Sequence, residues 1–227
     1  MQLIAIEGLD FAGKTTTALK VVEKLKCKKH MYGDMYSVQY IKEPDTTSVM
    51  GELIYDMLFG KLGEVDFFEY ASMFSAARLQ YRAKLLSLSE KPDIVLLDRC
   101  ELSTLVYQTV ALESADLSEY EINACKQVIE QITLLPSQLL GVDRIFYLDT
   151  SLATCMRRLD QCDNPDKNEN PITLARTMDL YQHYSSQDMF DIKVIPTAVA
   201  ESDVDSVSDY LCQRIVDFVI EYEDIPF

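Results

Sequence analysis

Basic residues are scarce in this sequence. Its 227 residues include 21 Lys and Arg against 37 Asp and Glu, which gives a net charge of −16 at pH 7. Because like charges repel, such a surface disfavours contact with polyanions such as nucleic acid and anionic membranes. We therefore expect neither as a partner, and any bound phosphate group must be held by local positive charge.

Long apolar runs and grouped cysteines are also missing. No apolar run reaches the roughly 18 residues that a membrane span needs, and Glu7 and Asp10 interrupt the segment where a signal peptide would be apolar. The six cysteines form no CxxC pair and no Cys/His cluster, which argues against a zinc site and against a disulfide framework. These absences predict a cytoplasmic protein with reduced thiols.

Short apolar runs alternate along the chain with longer segments of helical spacing. The runs predicted as buried strands are 3–6, 37–41, 93–98, 144–149 and 192–196. The predicted helices are 14–28, 47–60, 67–89, 101–113, 118–133, 151–160, 172–187 and 203–222. Strands that alternate with helices indicate an α/β fold with a parallel sheet covered by helices on both faces. The length and the 48% of hydrophobic residues suit one domain over residues 1–227.

The first predicted strand leads into the stretch GLDFAGKT, which fits the pattern G-x-x-x-x-G-K-[ST] and is followed by a helical segment. In this motif backbone N–H groups and the helix dipole attract phosphate oxygens, Lys14 adds a full charge, and the Thr15 hydroxyl can bind Mg²⁺. The sequence therefore predicts a nucleoside triphosphate site formed by Gly8, Leu9, Asp10, Phe11, Ala12, Gly13, Lys14, Thr15 and Thr16.

A second candidate feature is the end of the third predicted strand, where Asp98 is followed directly by Arg99. An Asp at a strand tip beside a phosphate loop can hold Mg²⁺ through water, and the adjacent Arg can reach a phosphate of a second substrate. Taken alone, the dipeptide is also typical of a solvated surface ion pair. The sequence has no guanine-reading N-K-x-D motif, which argues against a GTPase.

Five segments, in the same order and spacing, resemble the thymidylate kinase family of nucleoside monophosphate kinases. They are EGLDFAGKTT, IKEPDTTSVMGELI, MFSAARLQYRAKL, LLDRCELSTLVYQ and DRIFYLDTSLATCMRR, and they extend over nearly the whole chain. The resemblance implies a five-stranded parallel sheet of the P-loop NTPase type. It also implies transfer of the γ-phosphoryl group of ATP to dTMP, and a homodimer built from helices.

The resemblance further implies roles on the acceptor side. Phe74 and Arg78 lie four residues apart and share a helical face, and they match the ring that stacks on thymine and the donor to its O4. Asp10 matches a carboxylate near the sugar 3′-hydroxyl, and Arg99 matches a clamp for the acceptor phosphate. Without the resemblance, Phe74 would be a core residue, Arg78 a solvated charge and Asp10 a turn former. The implied dTMP-binding set is Asp10, Phe74, Arg78, Arg99, Ser103 and Gln108.

Residues 159–172 are rich in Asp, Asn and Pro and are predicted to form an exposed lid loop. Arg158 matches the family's arginine that reaches ATP from the start of the lid, although Arg157 and Arg158 could equally be a charge pair at a helix C-terminus. Relatives place a further arginine in the phosphate loop, where this chain has Phe11, or in the lid. Because the lid has no arginine, Lys167 is its nearest candidate cation. The predicted catalytic set is Lys14, Asp10, Arg99 and Lys167, with Thr15 and Asp98 as the metal ligands.

Three functions therefore remain open at this point. The first is a dTMP kinase, and the second is a kinase for another deoxynucleoside monophosphate or for a deoxynucleoside. Nucleoside kinases of this group typically have a glutamate base at the end of the first helix or second strand, and Glu43 could be mistaken for it. Arg99, as a phosphate clamp, favours a monophosphate acceptor. The third is a catalytically weak nucleotide-binding protein, which the missing arginine suggests.

Overall fold

Five parallel strands form the central sheet of this computed structural model, in the order β2-β3-β1-β4-β5. The strands are β1 (Gln2–Gly8), β2 (Val38–Lys42), β3 (Ile94–Asp98), β4 (Arg144–Leu148) and β5 (Ile192–Ile195). The structure describes residues 1–29, 33–163, 166 and 169–223, and of these only Tyr222 and Glu223 are described by their backbone alone. All five predicted strands are confirmed, with boundaries that move by one or two residues.

Helices connect the strands. They are α1 (Lys14–Leu25), α2 (Val49–Leu58), α3 (Phe67–Ser87), α4 (Glu101–Glu113), α5 (Glu119–Leu134), α6 (Leu152–Leu159), α7 (Pro171–Ser185), α8 (Thr197–Ala200) and α9 (Val204–Glu223). The sequence did not predict α8 or the 3-10 turn Leu135–Gln138, and it extended α1 to residue 28, three residues too far. No helix in the described part of the chain is long and apolar enough to span a membrane.

Local sequence explains where several helices begin. The Asp66 carboxylate accepts a hydrogen bond from the N–H of Glu69, and the Glu69 carboxylate accepts one from the N–H of Asp66. Ser118 and Glu121 form the same reciprocal pair at the start of α5. Such capping boxes satisfy N–H groups that have no partner within the helix, and they fix the first turn.

The sheet is covered on both faces, as predicted. Every residue of β3 is buried, and so is every residue of β1 after Gln2, which requires packing above and below the sheet. One group of packed helices contains α1 and α9, and another contains α3, α4, α5 and α7. In the register of the two central strands Ile6 lies beside Asp98, so the phosphate loop and the Asp98–Arg99 dipeptide leave the same edge of the sheet.

Candidate active site

The predicted phosphate loop runs from the end of β1 into the first turn of α1. Gly13, which precedes the helix, has a φ of 94°, a conformation that favours glycine. Lys14 is buried, and its Nζ donates to the carbonyl oxygens of Gly8 at 2.9 Å and Leu9 at 2.6 Å. Because its ammonium group folds back over the loop, it lies where a polyphosphate held by the loop N–H groups would need positive charge.

Burial strongly affects the ionisation of Lys14. Its pKa is lowered to about 8, first by burial and then by the charge of Arg99, while the carboxylates of Asp10 and Asp98 oppose the shift. A lysine with such a pKa changes its charge just above neutral pH. Polyphosphate binding at this loop is therefore expected to depend on pH.

The two side chains that are predicted to bind Mg²⁺, Thr15 and Asp98, contact each other beside the phosphate loop. Thr15 Oγ1 donates to Asp98 Oδ2 at 2.5 Å, and the Tyr40 hydroxyl donates to the same oxygen at 3.1 Å. Asp98 is 1% exposed, so the expectation of a solvated Asp98–Arg99 surface pair is wrong. A hydroxyl beside a carboxylate fits the preference of Mg²⁺ for oxygen ligands, one or two of them from protein.

Arg99 turns away from Asp98 and binds Asp10. Its backbone φ is 80°, an uncommon left-handed conformation for a residue other than glycine. The guanidinium forms an ion pair with Asp10 and donates to Ser103 Oγ at 3.1 Å. The Tyr107 hydroxyl also donates to Asp10, and the Tyr107 ring centroid lies 5.6 Å from Arg99 Cζ.

The charges around Asp10 keep it ionised. Burial raises the pKa of Asp10, but the positive charges of Arg99 and Lys14 outweigh burial and hold the pKa below its ordinary value. Lys14 Nζ lies 3.8 Å from Asp10 Oδ1. This carboxylate therefore joins the cation of the phosphate loop to the guanidinium of Arg99, which is a closer association than a turn-forming Asp requires.

A cavity of about 350 Å³ opens beside Arg99, with walls supplied by α2, α3, α4 and the segment after β2. Its lining includes all of the predicted acceptor residues, namely Asp10, Phe74, Arg78, Arg99, Ser103 and Gln108. It also includes Lys42, Thr104, Tyr107, Asp166 and Glu169, which sequence reasoning missed. Tyr107 could have been found, because it follows Ser103 by one helical turn on α4.

Arg78 lines this cavity and is 1% exposed, so the reading of Arg78 as a solvated charge is wrong. Its Nε and Nη2 donate to the Glu43 carboxylate, with the shortest contact at 2.6 Å, and Nη2 also donates to the Cys100 carbonyl at 2.9 Å. Nη1 is buried and has no hydrogen-bond partner among the described residues. Arg78 Cζ lies 5.4 Å from the Phe74 ring centroid, and both side chains line the cavity.

Both carboxylate oxygens of Glu43 accept hydrogen bonds from neighbouring side chains. One carboxylate oxygen accepts from Arg78 Nε and from the Tyr81 hydroxyl, each at 3.1 Å, and the other accepts from Arg78 Nη2. Burial raises the pKa of Glu43, and the charge of Arg78 opposes that shift. A general base needs a free oxygen within reach of the proton it removes. This pairing argues against Glu43 as the base for a nucleoside hydroxyl.

Arg158 connects α6 to the phosphate loop. It lies in the last turn of α6, and its Nη1 donates to the Phe11 carbonyl at 2.7 Å, while Arg157 is exposed. Arg158 therefore lies at a helix C-terminus, as one reading of the sequence expects, and it contacts the loop that is predicted to bind ATP. Lys167 lies outside the described residues, and the described residues of this segment that line the cavity are the acidic Asp166 and Glu169.

Comparison with known proteins agrees with this geometry. A family model described as "Thymidylate kinase" matches residues 6–206. The chain belongs to the thymidylate kinase family. It is therefore a nucleoside monophosphate kinase, a phosphotransferase.

Several relatives support the assignment of this kinase. It is 32% identical over 180 residues to a probable thymidylate kinase of Sulfurisphaera tokodaii, covering 79% of this chain and 80% of the relative. It is 25% identical over 227 residues to a thymidylate kinase of Thermosipho melanesiensis, covering 96% and 99%. The solved thymidylate kinase of Candida albicans superposes with a TM-score of 0.71 at 25% identity, covering 94% and 90%. A deoxyadenosine kinase of M. mycoides shares the fold, with a TM-score of 0.65 at 19% identity, covering 94% and 99%.

Proposed function

We propose that this kinase transfers the γ-phosphoryl group of ATP to dTMP and releases dTDP and ADP. The observation that carries the proposal is the contact of Asp10 with both Lys14 and Arg99, which places the acceptor cavity directly beside the phosphate loop. Phosphoryl transfer needs the two substrates in line and their negative charge neutralised. Lys14 and Arg99 supply that charge at the junction of the two sites.

On the donor side, backbone N–H groups of residues 8–16 and the ammonium group of Lys14 bind the triphosphate. Arg158 adds positive charge from the end of α6. Thr15 and Asp98 would hold Mg²⁺, which neutralises charge on the β- and γ-phosphate oxygens when it is bound. The 2.5 Å contact between the two side chains supports this assignment.

On the acceptor side, the thymine ring stacks on Phe74 and its O4 accepts from the guanidinium of Arg78, and both side chains line the cavity. Ser103 and Gln108 contact the base edge and the methyl group from α4. Arg99 binds the phosphate, and Asp10 lies near the sugar 3′-hydroxyl. The placement of all these side chains around one cavity supports their roles.

We also propose that residues 1–227 are one domain and that the segment near 159–172 acts as a lid over both substrates. Exclusion of water by the lid would prevent hydrolysis of ATP. Lys167 is the lid cation that we assign to the transferring phosphoryl group. Replacement of Lys167 by Ala should lower dTMP-dependent ATP consumption, and an unchanged rate would remove this residue from the mechanism.

A homodimer and a cytoplasmic location complete the proposal. The exposed apolar side chains Val49 and Leu53, one turn apart on α2, support a helical dimer contact. Free cysteines support a reducing compartment. Sedimentation equilibrium should give twice the chain mass of 25.9 kDa, and a mass equal to one chain would contradict the dimer.

The function is tested by coupled detection of ADP release against a panel of deoxynucleosides, their monophosphates and ribonucleotides. We expect the highest kcat/KM with dTMP and no turnover with thymidine, and Lys14→Ala should abolish the signal. Turnover of nucleosides would favour the nucleoside kinase reading instead. ATP binding without turnover of any acceptor would identify a catalytically weak nucleotide-binding protein.

A further inference from the structure

The carboxylate of Glu7 is completely buried one residue before the phosphate loop begins. Its Oε1 accepts the backbone N–H groups of Cys100 at 2.8 Å and Ser103 at 3.2 Å. Its Oε2 accepts the hydroxyls of Ser103 at 2.8 Å and Tyr181 at 2.9 Å. Donors from α7 and from the start of α4 therefore converge on one side chain of β1.

These bonds lie next to Arg99 on both sides. The N–H of Arg99 binds the carbonyl oxygen of Ile6 at 3.1 Å, and the next N–H, that of Cys100, binds Glu7. Successive residues of β1 thus hold the peptide groups that flank the left-handed backbone of Arg99. Because φ sets the direction of a side chain, these two bonds aim the guanidinium toward Asp10 and the cavity.

Ser103 connects Glu7 to the guanidinium itself. A hydroxyl carries one proton, and Ser103 donates it to Glu7 Oε2, so its oxygen remains available as an acceptor for Arg99 Nη1 at 3.1 Å. If Glu7 were an amide, its NH₂ group would have to donate to Ser103. The serine proton would then turn from residue 7 to the Tyr181 hydroxyl, 3.0 Å away. The serine oxygen would have to accept from residue 7 as well as from Arg99, which weakens its contact with Arg99.

We propose that Glu7 is a positioning residue that holds Arg99 ready for the acceptor phosphate, through the backbone of α4 and through the hydroxyl of Ser103. The inference rests on the proposed role of Arg99 as the acceptor clamp. It assigns to β1 a part in acceptor binding in addition to its role in carrying the donor loop.

The test is the isosteric substitution Glu7→Gln, because the amide oxygen can still accept both backbone N–H groups. We expect a melting temperature close to that of the parent and ATP affinity within about twofold by calorimetry, with kcat/KM for dTMP lower by about 10- to 100-fold. Combined with Ser103→Ala, Glu7→Gln should add little further loss, since the two changes interrupt one connection.

A matched control is Glu101→Gln. Glu101 is also a fully buried carboxylate, but it lies on α4 and pairs with Arg82. It should lower the melting temperature without a selective loss toward dTMP.

Equal losses of ATP and dTMP binding in Glu7→Gln, unchanged kinetics, or additive effects with Ser103→Ala would each overturn the proposal. If Glu7→Gln does not fold, Glu7→Asp should show the selective loss, and its absence is equally decisive. Arg99→Lys in the same assay tests the role of Arg99 separately from that of Glu7. Unchanged dTMP kinetics in Arg99→Lys would contradict Arg99 as the clamp for the acceptor phosphate.

Discussion

At the scale of single residues, the site is built from charged groups that are buried together. Asp10 contacts Lys14 and Arg99, while Glu43 contacts Arg78. Burial of a charge is costly unless a partner compensates it, so the removal of one member affects both stability and binding. Experiments on these residues must therefore separate the two effects.

The ionisation of Lys14 predicts a pH dependence of ATP binding. An anionic triphosphate favours the charged lysine, whose pKa is about 8 in this structure. Below that pH the lysine is already charged and affinity is constant. Above it, binding must take up a proton, so the Kd should rise by up to about tenfold per pH unit. Calorimetry from pH 7 to 10 measures this rise, Lys14→Arg should flatten the profile, and a flat profile in the parent would contradict the prediction.

Substitutions at Arg78 and Glu43 should separate the effect of Arg78 on protein stability from its effect on dTMP binding. Arg78→Met leaves the buried Glu43 without its cation, which should lower the free energy of unfolding by about 3–5 kcal/mol. The double variant Arg78→Met/Glu43→Leu replaces both charges by apolar groups and should recover most of that loss in urea titrations. Binding of dTMP should stay weak in both variants because the donor to O4 is gone. Recovery of dTMP affinity in the double variant would exclude Arg78 as a base contact.

At the scale of elements, one wall of the cavity depends on a close backbone contact. A Cβ on Gly51 of α2 would overlap the backbone carbonyl of Asp45. Pro44 and Thr46 from that segment and Tyr55 from α2 all line the cavity. The glycine therefore allows α2 and the segment after β2 to pack as one wall.

Gly51→Ala should force these two elements apart. We expect the free energy of unfolding to fall by about 1–3 kcal/mol, together with a several-fold higher KM for dTMP and an unchanged KM for ATP. Gly141→Ala is the matched control, because the nearest atom to its Cβ, Ser137 O, lies at 3.6 Å. Steady-state kinetics and thermal unfolding measure these effects. If Gly51→Ala changed neither the KM for dTMP nor the free energy of unfolding, the prediction would be contradicted.

The sequence predicted elements better than it predicted contacts. Buried parallel strands are continuous apolar runs, and the phosphate loop has a local pattern, so both are visible without a structure. Helix α8 and the turn Leu135–Gln138 have four residues each, too few to show a period. The burial of Arg78 depends on Glu43, 35 residues away, and that of Glu7 on Cys100, 93 residues away. Only a fold brings such partners together, and spacing cannot reveal them.

At the scale of the whole molecule, the net charge of −16 predicts indifference to nucleic acid. Proteins that bind DNA without sequence preference do so through neutralised phosphates, with a Kd of about 10⁻⁴ to 10⁻⁶ M. We expect no change in the fluorescence anisotropy of labelled duplex DNA at about 100 μM kinase and about 50 mM salt. Turnover of dTMP in the same buffer shows that the protein is active, and saturable binding would contradict the expectation.

The distribution of the cavity wall along the chain has a practical consequence. All but three of its lining residues lie between Lys42 and Gln108, and the exceptions are Asp10, Asp166 and Glu169. The donor loop lies outside that interval, at residues 8–15. The residues that contact the acceptor therefore lie almost entirely in one continuous segment. Exchange of residues 42–108 with those of a relative that keeps a carboxylate at position 98 should transfer base selectivity, while the donor loop of the host stays in place.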